Sequence, residues 1–271
     1  MHPVLFEIGG IPVPTYGTIL LIAFLAAIGM FAHLMRRHGA PFNRMVDLGF
    51  GVAISGEIGA RITYIVVEWE RFAAGSVSWV QFMTAGRVVL GGAVGALIGS
   101  FWLMRRAGRE FGLTRSQFVD AGFVGGALGM AIGRVGCLMT GCCYGGHTDW
   151  GWGMIFTDQR AHAIAGTPLD VTLHPTQWLL IAQGTLVFLV CLRAIHRSRR
   201  TGVAAGLFWV VGGVTRFGIE MLRADYRGSW WLGFSTSQWI SLGGVLLGLL
   251  WLGVVFSRRN PPSRRPALRA A

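Results

Sequence analysis

Apolar stretches of about 20 residues, the length a helix needs to cross a hydrocarbon core, recur along almost the whole of this sequence. They fall near 15–35, 46–67, 88–104, 118–140, 177–194, 203–222 and 238–256. No polar run between them is long enough for a second domain. The expected fold is therefore an all-α polytopic membrane protein of about seven transmembrane helices. One bundle is expected over residues 1–256, with a disordered basic tail over 257–271 that can touch anionic lipid. The third stretch is short and glycine-rich and is the weakest of the seven. Composition agrees, since only 13% of residues are charged against about 25% in soluble domains. The 41 glycines suit helices whose backbones approach closely.

The net charge of +12 raises the question of nucleic acid. Its distribution answers no, because the arginines sit in short runs between apolar segments and form no basic helix face. They report orientation instead. With spans alternating, one side receives 16 arginines, among them Arg36, Arg37, Arg105, Arg106, Arg193 and Arg197, while the other receives Arg71, Arg87, Arg160, Arg223 and Arg227. The arginine-rich side belongs in the cytoplasm. This puts the N-terminus outside and the C-terminus inside, as an odd number of spans requires. The location expected is the inner (cytoplasmic) membrane of a bacterium. The opening MHPVLFEIGGIPVPTYG has no basic n-region, so no cleaved signal peptide is expected. Trp230, Trp231 and Trp239 flank the last span and suit an interfacial belt.

Charges inside spans are costly, about 2.5–3.5 kcal/mol each on insertion scales, and mark function by default. Glu57 and Arg61 stand four apart on one helix face, as do Arg216 and Glu220, with Arg223 three residues on. Arg134 has no carboxylate at helical spacing. Asp120 opens the fourth span and is expected to cap it. By the orientation above, Arg134, Arg216 and Arg223 all lie toward the outer leaflet. Guanidinium matches phosphate with paired hydrogen bonds, so their convergence points to an anionic phospholipid.

The most distinctive segment is GRVGCLMTGCCYGG, Gly133 to Gly146, at the outer end of the fourth span. It resembles the signature of the prolipoprotein diacylglyceryl transferases, roughly G-R-x-G-N-F-x-N-x-E-x-x-G, keeping Gly133, Arg134, Gly136 and Gly145. Other segments follow in order: PVPTYG with Tyr16, GARITY from Gly59 to Tyr64 with Arg61, LGG from Leu90 to Gly92, HPTQ from His174 to Gln177, and GLFWVVGGVTRFGIEMLR with Arg216. The resemblance covers nearly the whole chain. It implies transfer of a diacylglyceryl group from phosphatidylglycerol to a cysteine thiol of a lipoprotein precursor, with no cofactor. It places the essential arginine on Arg216 and lipid phosphate contacts on Arg134, Arg216, Arg223, Tyr16 and Arg61.

The departures fall on the chemistry. The histidine of the H-G-G element is Leu90 here, the signature asparagines are Cys137 and Thr140, its glutamate is Cys142, and a tyrosine ahead of the essential arginine is Gly212. A base for the acceptor thiol then falls to His174 or to a cysteine thiolate. Cys137, Cys142 and Cys143 are open to three readings: small packing residues, a disulfide on an oxidising face, or a functional thiol or soft-metal site. C-x4-C-C is not a standard zinc spacing, and no metal is assigned. Two other functions compete with the transferase. One is a membrane thiol- or metal-handling protein that has lost transfer chemistry, and the other is a silent lipid-binding homologue.

Overall fold

The computed structural model describes residues 2–78, 82, 88–224 and 233–258. The tail from 259 onward, together with Arg87, Arg227, Trp230 and Trp231, lies outside the described residues. A short antiparallel hairpin comes first, β1 (Val4–Ile8) with β2 (Ile11–Pro14). It leads directly into α1 (Thr15–Arg36), followed by α2 (Phe42–Val67), a single turn α3 (Trp69–Ala73), α4 (Val89–Phe111) and α5 (Arg115–Thr140). The long connection after α5 holds β3 (Met154–Ile155), α6 (Gln159–Ala165) and β4 (Thr172–Leu173). The chain ends with α7 (Thr176–Arg197), α8 (Val203–Glu220) and α9 (Thr236–Ser257).

All seven expected stretches are helical, and six of these helices are long and apolar enough to cross a membrane. The exception is α4, which has 23 residues but dilutes its apolar run with glycines and with Arg105 and Arg106. That is the stretch the sequence marks as weakest. The surface of the bundle is strongly apolar, with Leu21, Ile54, Ile62, Leu97, Ile240 and Leu247 all exposed. Water would not tolerate so much apolar surface; lipid does.

Helix α5 occupies the centre, packing against α1, α7 and α8. Helices α8 and α9 pair at one side, and α2 with α4 at the other. The α2–α4 contact explains much of the glycine content. A Cβ on Gly59 would lie 2.4 Å from the Gly91 carbonyl oxygen, and one on Gly95 would lie 2.4 Å from that of Ser55. Ser55, Gly59 and Thr63 therefore face Gly91, Gly95 and Gly99 at four-residue intervals, which lets the two backbones touch.

The apolar core sits at the end the arginine pattern assigns to the cytoplasm, where Phe31, Leu34, Met35, Met45, Phe118, Val124 and Val187 are buried together. Asp120 lies beside this core, and here the structure corrects the sequence reading. Its carboxylate does not cap its own helix, whose N-cap is Thr114 in a capping box with Gln117. It accepts instead from the backbone N–H of Gly202 at 2.5 Å and of Ala205 at 2.9 Å, so it caps α8. A buried carboxylate at a neighbouring helix N-terminus gains from otherwise unpaired N–H groups and from the dipole.

Candidate functional site

The opposite end of the bundle is polar. The last two turns of α5 carry Arg134 and Cys137, and the helix stops at Gly141, whose φ of 85° is the left-handed cap geometry. Two residues later Cys143 also takes a left-handed backbone, φ 63°, which is costly for a side chain other than glycine. These two reversals fold the chain back over the helix end. The Sγ atoms of Cys137, Cys142 and Cys143 consequently lie within 4.8 Å of one another. No disulfide joins them, so the disulfide reading is not the arrangement seen.

The fold-back is held from α7. Thr176 Oγ1 donates to the Cys143 carbonyl at 2.7 Å, and Gln177 Nε2 donates to the Cys142 carbonyl at 3.1 Å. Thr167 Oγ1 donates to the Gly141 carbonyl at 3.0 Å. All three side chains are fully buried. The HPTQ segment thus acts chiefly as a clamp on the cysteine loop, a role that sequence reasoning assigned to none of its residues. The connection after α5 is tied down further by Gly146 N–H to the Leu222 carbonyl at 2.9 Å and by His174 N–H to the Gly146 carbonyl at 2.8 Å.

The charged groups form one connected line across α5, the cysteine loop and α8. Arg134 Nη1 lies 3.9 Å from both Cys137 Sγ and Cys143 Sγ. Cys143 in turn receives the Arg223 guanidinium. Arg223 Nε is 3.8 Å from Glu220 Oε2, and Arg216 Nη2 is 2.6 Å from the same oxygen. Arg216 Nη2 also reaches Ser237 Oγ at 3.5 Å, while Ser235 Oγ donates to Glu220 Oε1 at 3.1 Å. Ser235 additionally caps α9 in a box with Gln238; its S-x-x-Q spacing carried that signal in the sequence. The side chains of Glu220 and Arg223 are 4% and 2% exposed.

Electrostatics inside the thiol group are uneven. Cys143 is held well below the usual thiol range, first by hydrogen bonds from Cys137 and Cys142 and also by the Arg223 guanidinium, against the opposing effect of burial. Cys142 is pushed up, first by hydrogen bonding with Cys137 and Cys143 and then by burial. One thiolate placed on Cys143 between two guanidiniums is the arrangement these causes favour.

Tyr16 joins this group. Its ring packs on Gly136, where a Cβ would lie 3.1 Å from Cδ2, and it is within electrostatic reach of all three cysteines and Arg134. His174 borders it through Gly145, whose backbone bridges to Arg223 and leaves no room for a side chain beside the His174 Cβ. The imidazole packs edge-on against Trp150 at 5.0 Å, and its buried Nδ1 has no hydrogen-bond partner among the described residues. Arg61 lies on α2. It pairs with Glu57 Oε1 at 2.8 Å, donates to the Phe82 carbonyl at 2.5 Å and stacks on the Phe82 ring. Its helix packs on α1 and α4. Leu90 stands out from the α2–α4 pair, 72% exposed.

Comparison with known proteins agrees with this arrangement in extent. The family model described as prolipoprotein diacylglyceryl transferase matches residues 3–254. The chain is similar to the phosphatidylglycerol–prolipoprotein diacylglyceryl transferase of Clostridium tetani, 27% identical over 92% of this chain and 96% of that protein. The second such protein of Clostridium perfringens is 30% identical over 91% of this chain and 94% of its own length. That of Vibrio cholerae is 31% identical over 93% and 90%. With a bundle of apolar helices and a family match over nearly its whole length, the chain belongs to the prolipoprotein diacylglyceryl transferase family and is a multi-pass membrane transferase.

Proposed function

We propose that this protein moves the diacylglyceryl group of phosphatidylglycerol to a cysteine thiol of a lipoprotein precursor, at the outer face of the bacterial cytoplasmic membrane. The observation that carries this reading is the line Arg134–Cys143–Arg223–Glu220–Arg216, which among the described residues holds three guanidiniums and one carboxylate, the latter paired with Arg216 and Arg223. The positive excess at that end suits a lipid phosphate diester. The topology that accompanies the reading has α4 as a seventh span, the N-terminus outside and residues 1–256 as one unit.

The reaction is a displacement at carbon. The acceptor thiol loses its proton, its sulfur attacks the terminal glyceryl carbon, and the C–O bond to phosphate breaks with glycerol phosphate leaving. Arg134, Arg216 and Arg223 hold the phosphate and stabilise the charge that grows on its oxygen as the bond breaks. Glu220 fixes the spacing of Arg216 and Arg223, since both address one of its oxygens. Tyr16, on the first turn of α1, bounds the same space beside Arg134. Imidazole is a common general base near neutral pH. His174 takes the acceptor's proton; its buried Nδ1, without a hydrogen-bond partner among the described residues, supports that role. Cys137 and Cys142 replace polar residues of the family signature, Cys143 falls on one of its open positions, and the phosphate grip is left in place. Arg61, which pairs with Glu57 on α2, is a further contact for the lipid phosphate in this reading.

The test is complementation of a bacterium depleted of its own diacylglyceryl transferase, with mass spectrometry of lipoprotein N-termini. The expected result is diacylglyceryl-cysteine with the natural sequence and unmodified cysteine with Arg216→Gln at equal membrane abundance. Unmodified cysteine with the natural sequence, despite good expression, would overturn the reading.

A further inference from the structure

We propose that Cys137, Cys142 and Cys143 form a three-sulfur coordination site for a single thiophilic monovalent cation of the Cu(I) kind. This inference stands apart from the transferase reading, which uses none of the three thiols as a ligand.

Geometry carries it. Metal–sulfur bonds of about 2.3 Å in a trigonal plane set sulfur–sulfur edges of about 4.0 Å. The three Sγ atoms already lie within 4.8 Å of one another, so closing on an ion asks less than an ångström of movement. The closure is prepared by the backbone. The left-handed residues Gly141 and Cys143 turn the loop back, and Thr176 and Gln177 lock the carbonyls of Cys143 and Cys142. A strained left-handed cysteine, held by buried side chains from another helix, is more than simple packing requires. No His, Asp or Glu joins the cluster among the described residues. Three sulfurs with no fourth protein donor suit low-coordinate Cu(I) better than tetrahedral zinc.

Charge carries it as well. A monovalent ion on three thiolates has a net charge of −2, with the thiol protons released to solvent. Arg134 lies 3.9 Å from two of the sulfurs, and Arg223 contacts Cys143. Two guanidiniums in the outer shell neutralise the complex in a partly buried site, where an uncompensated charge would be expensive. No redox step is involved, because the ion enters and stays as Cu(I).

The experiment uses the full chain, reduced and anaerobic in detergent, titrated with Cu(I) against a chromophoric Cu(I) chelator. A parallel titration uses Zn(II). Copper-edge X-ray absorption reads the ligands. One tightly held Cu(I) with three sulfur neighbours is expected, and it should be lost in each of Cys137→Ser, Cys142→Ser and Cys143→Ser but kept in Cys191→Ser. Arg134→Met, acting from the outer shell, should weaken binding by about 10–100-fold. Arg216→Gln, at a residue held by Glu220 and Ser237, should bind copper normally, so loss of transfer and loss of metal are told apart. Size-exclusion profiles establish that each variant is folded, and Cys→Ala versions replace any Ser variant that is not. No competitive Cu(I) binding, binding that survives the cysteine changes, two-sulfur coordination, or tight binding of zinc alone would each overturn the proposal.

Discussion

Glu220→Gln should be the most damaging single-atom change in the protein. The carboxylate is almost fully buried, its Oε2 is 2.6 Å from Arg216 and 3.8 Å from Arg223, and its Oε1 accepts from Ser235 at 3.1 Å. The amide can keep the serine hydrogen bond but removes the negative charge that both guanidiniums face. Removing one member of a buried ion pair costs about 3–5 kcal/mol. The lower end applies because Arg216 keeps some exposure and Ser237 as a partner. At roughly 2–4 °C per kcal/mol, the melting midpoint should fall by about 6–12 °C. The assay is thermal unfolding of purified protein in nanodiscs, natural sequence against Glu220→Gln. Because phosphate can stand in for the missing carboxylate, phosphatidylglycerol nanodiscs should restore more of the loss than phosphatidylcholine ones. A midpoint within about 2 °C of the natural protein, roughly 1 kcal/mol or less, would refute the carboxylate as the hub. Equal loss in both lipids would refute phosphate reaching these arginines.

Three further outcomes follow from single contacts. Asp120→Ala should cost about 1–2 kcal/mol, read by thermal unfolding, because Gly202 and Ala205 N–H lose their acceptor; no change would mean that the cap is dispensable. Gly95→Leu drives a side chain into the Ser55 carbonyl and should separate α2 from α4, seen as loss of a disulfide engineered between those helices, whereas Gly122→Leu, with open space around it, should leave it intact. Gln177→Leu removes the donor to the Cys142 carbonyl, a buried hydrogen bond worth about 1–3 kcal/mol; maleimide should then label Cys142 and Cys143 faster than in the natural protein, and an unchanged rate would sink the clamp.

The helices were legible in the sequence because a span must be apolar along some twenty residues, and no other feature mimics that length. Even the weak member was visible, since the glycines and arginines that lower the apolarity of α4 are plain to read. Arg216, Glu220 and Arg223 were legible as a group because helical spacing alone places them together. Three things were not. The capping of α8 by Asp120 is a contact between helices 82 positions apart, and spacing says nothing about such distances. The clamp from Thr176 and Gln177 uses backbone carbonyls as acceptors, which every residue possesses, so no residue type announces it. The meeting of Arg134 with Arg223 through Cys143 depends on a left-handed turn at a cysteine, a conformation that sequence statistics would give to glycine.

The central claim is that buried guanidiniums at the outer end of the bundle grip the phosphate of the lipid donor while its carbon is attacked. Its most direct test is transfer from labelled phosphatidylglycerol to a cysteine-bearing lipoprotein peptide, by purified protein in nanodiscs, comparing the natural sequence with Arg216→Gln. Loss of one positioned donor to a developing anion should lower the turnover rate by about 10²–10³-fold, with the variant still folded. Turnover within a few-fold of the natural protein would contradict it.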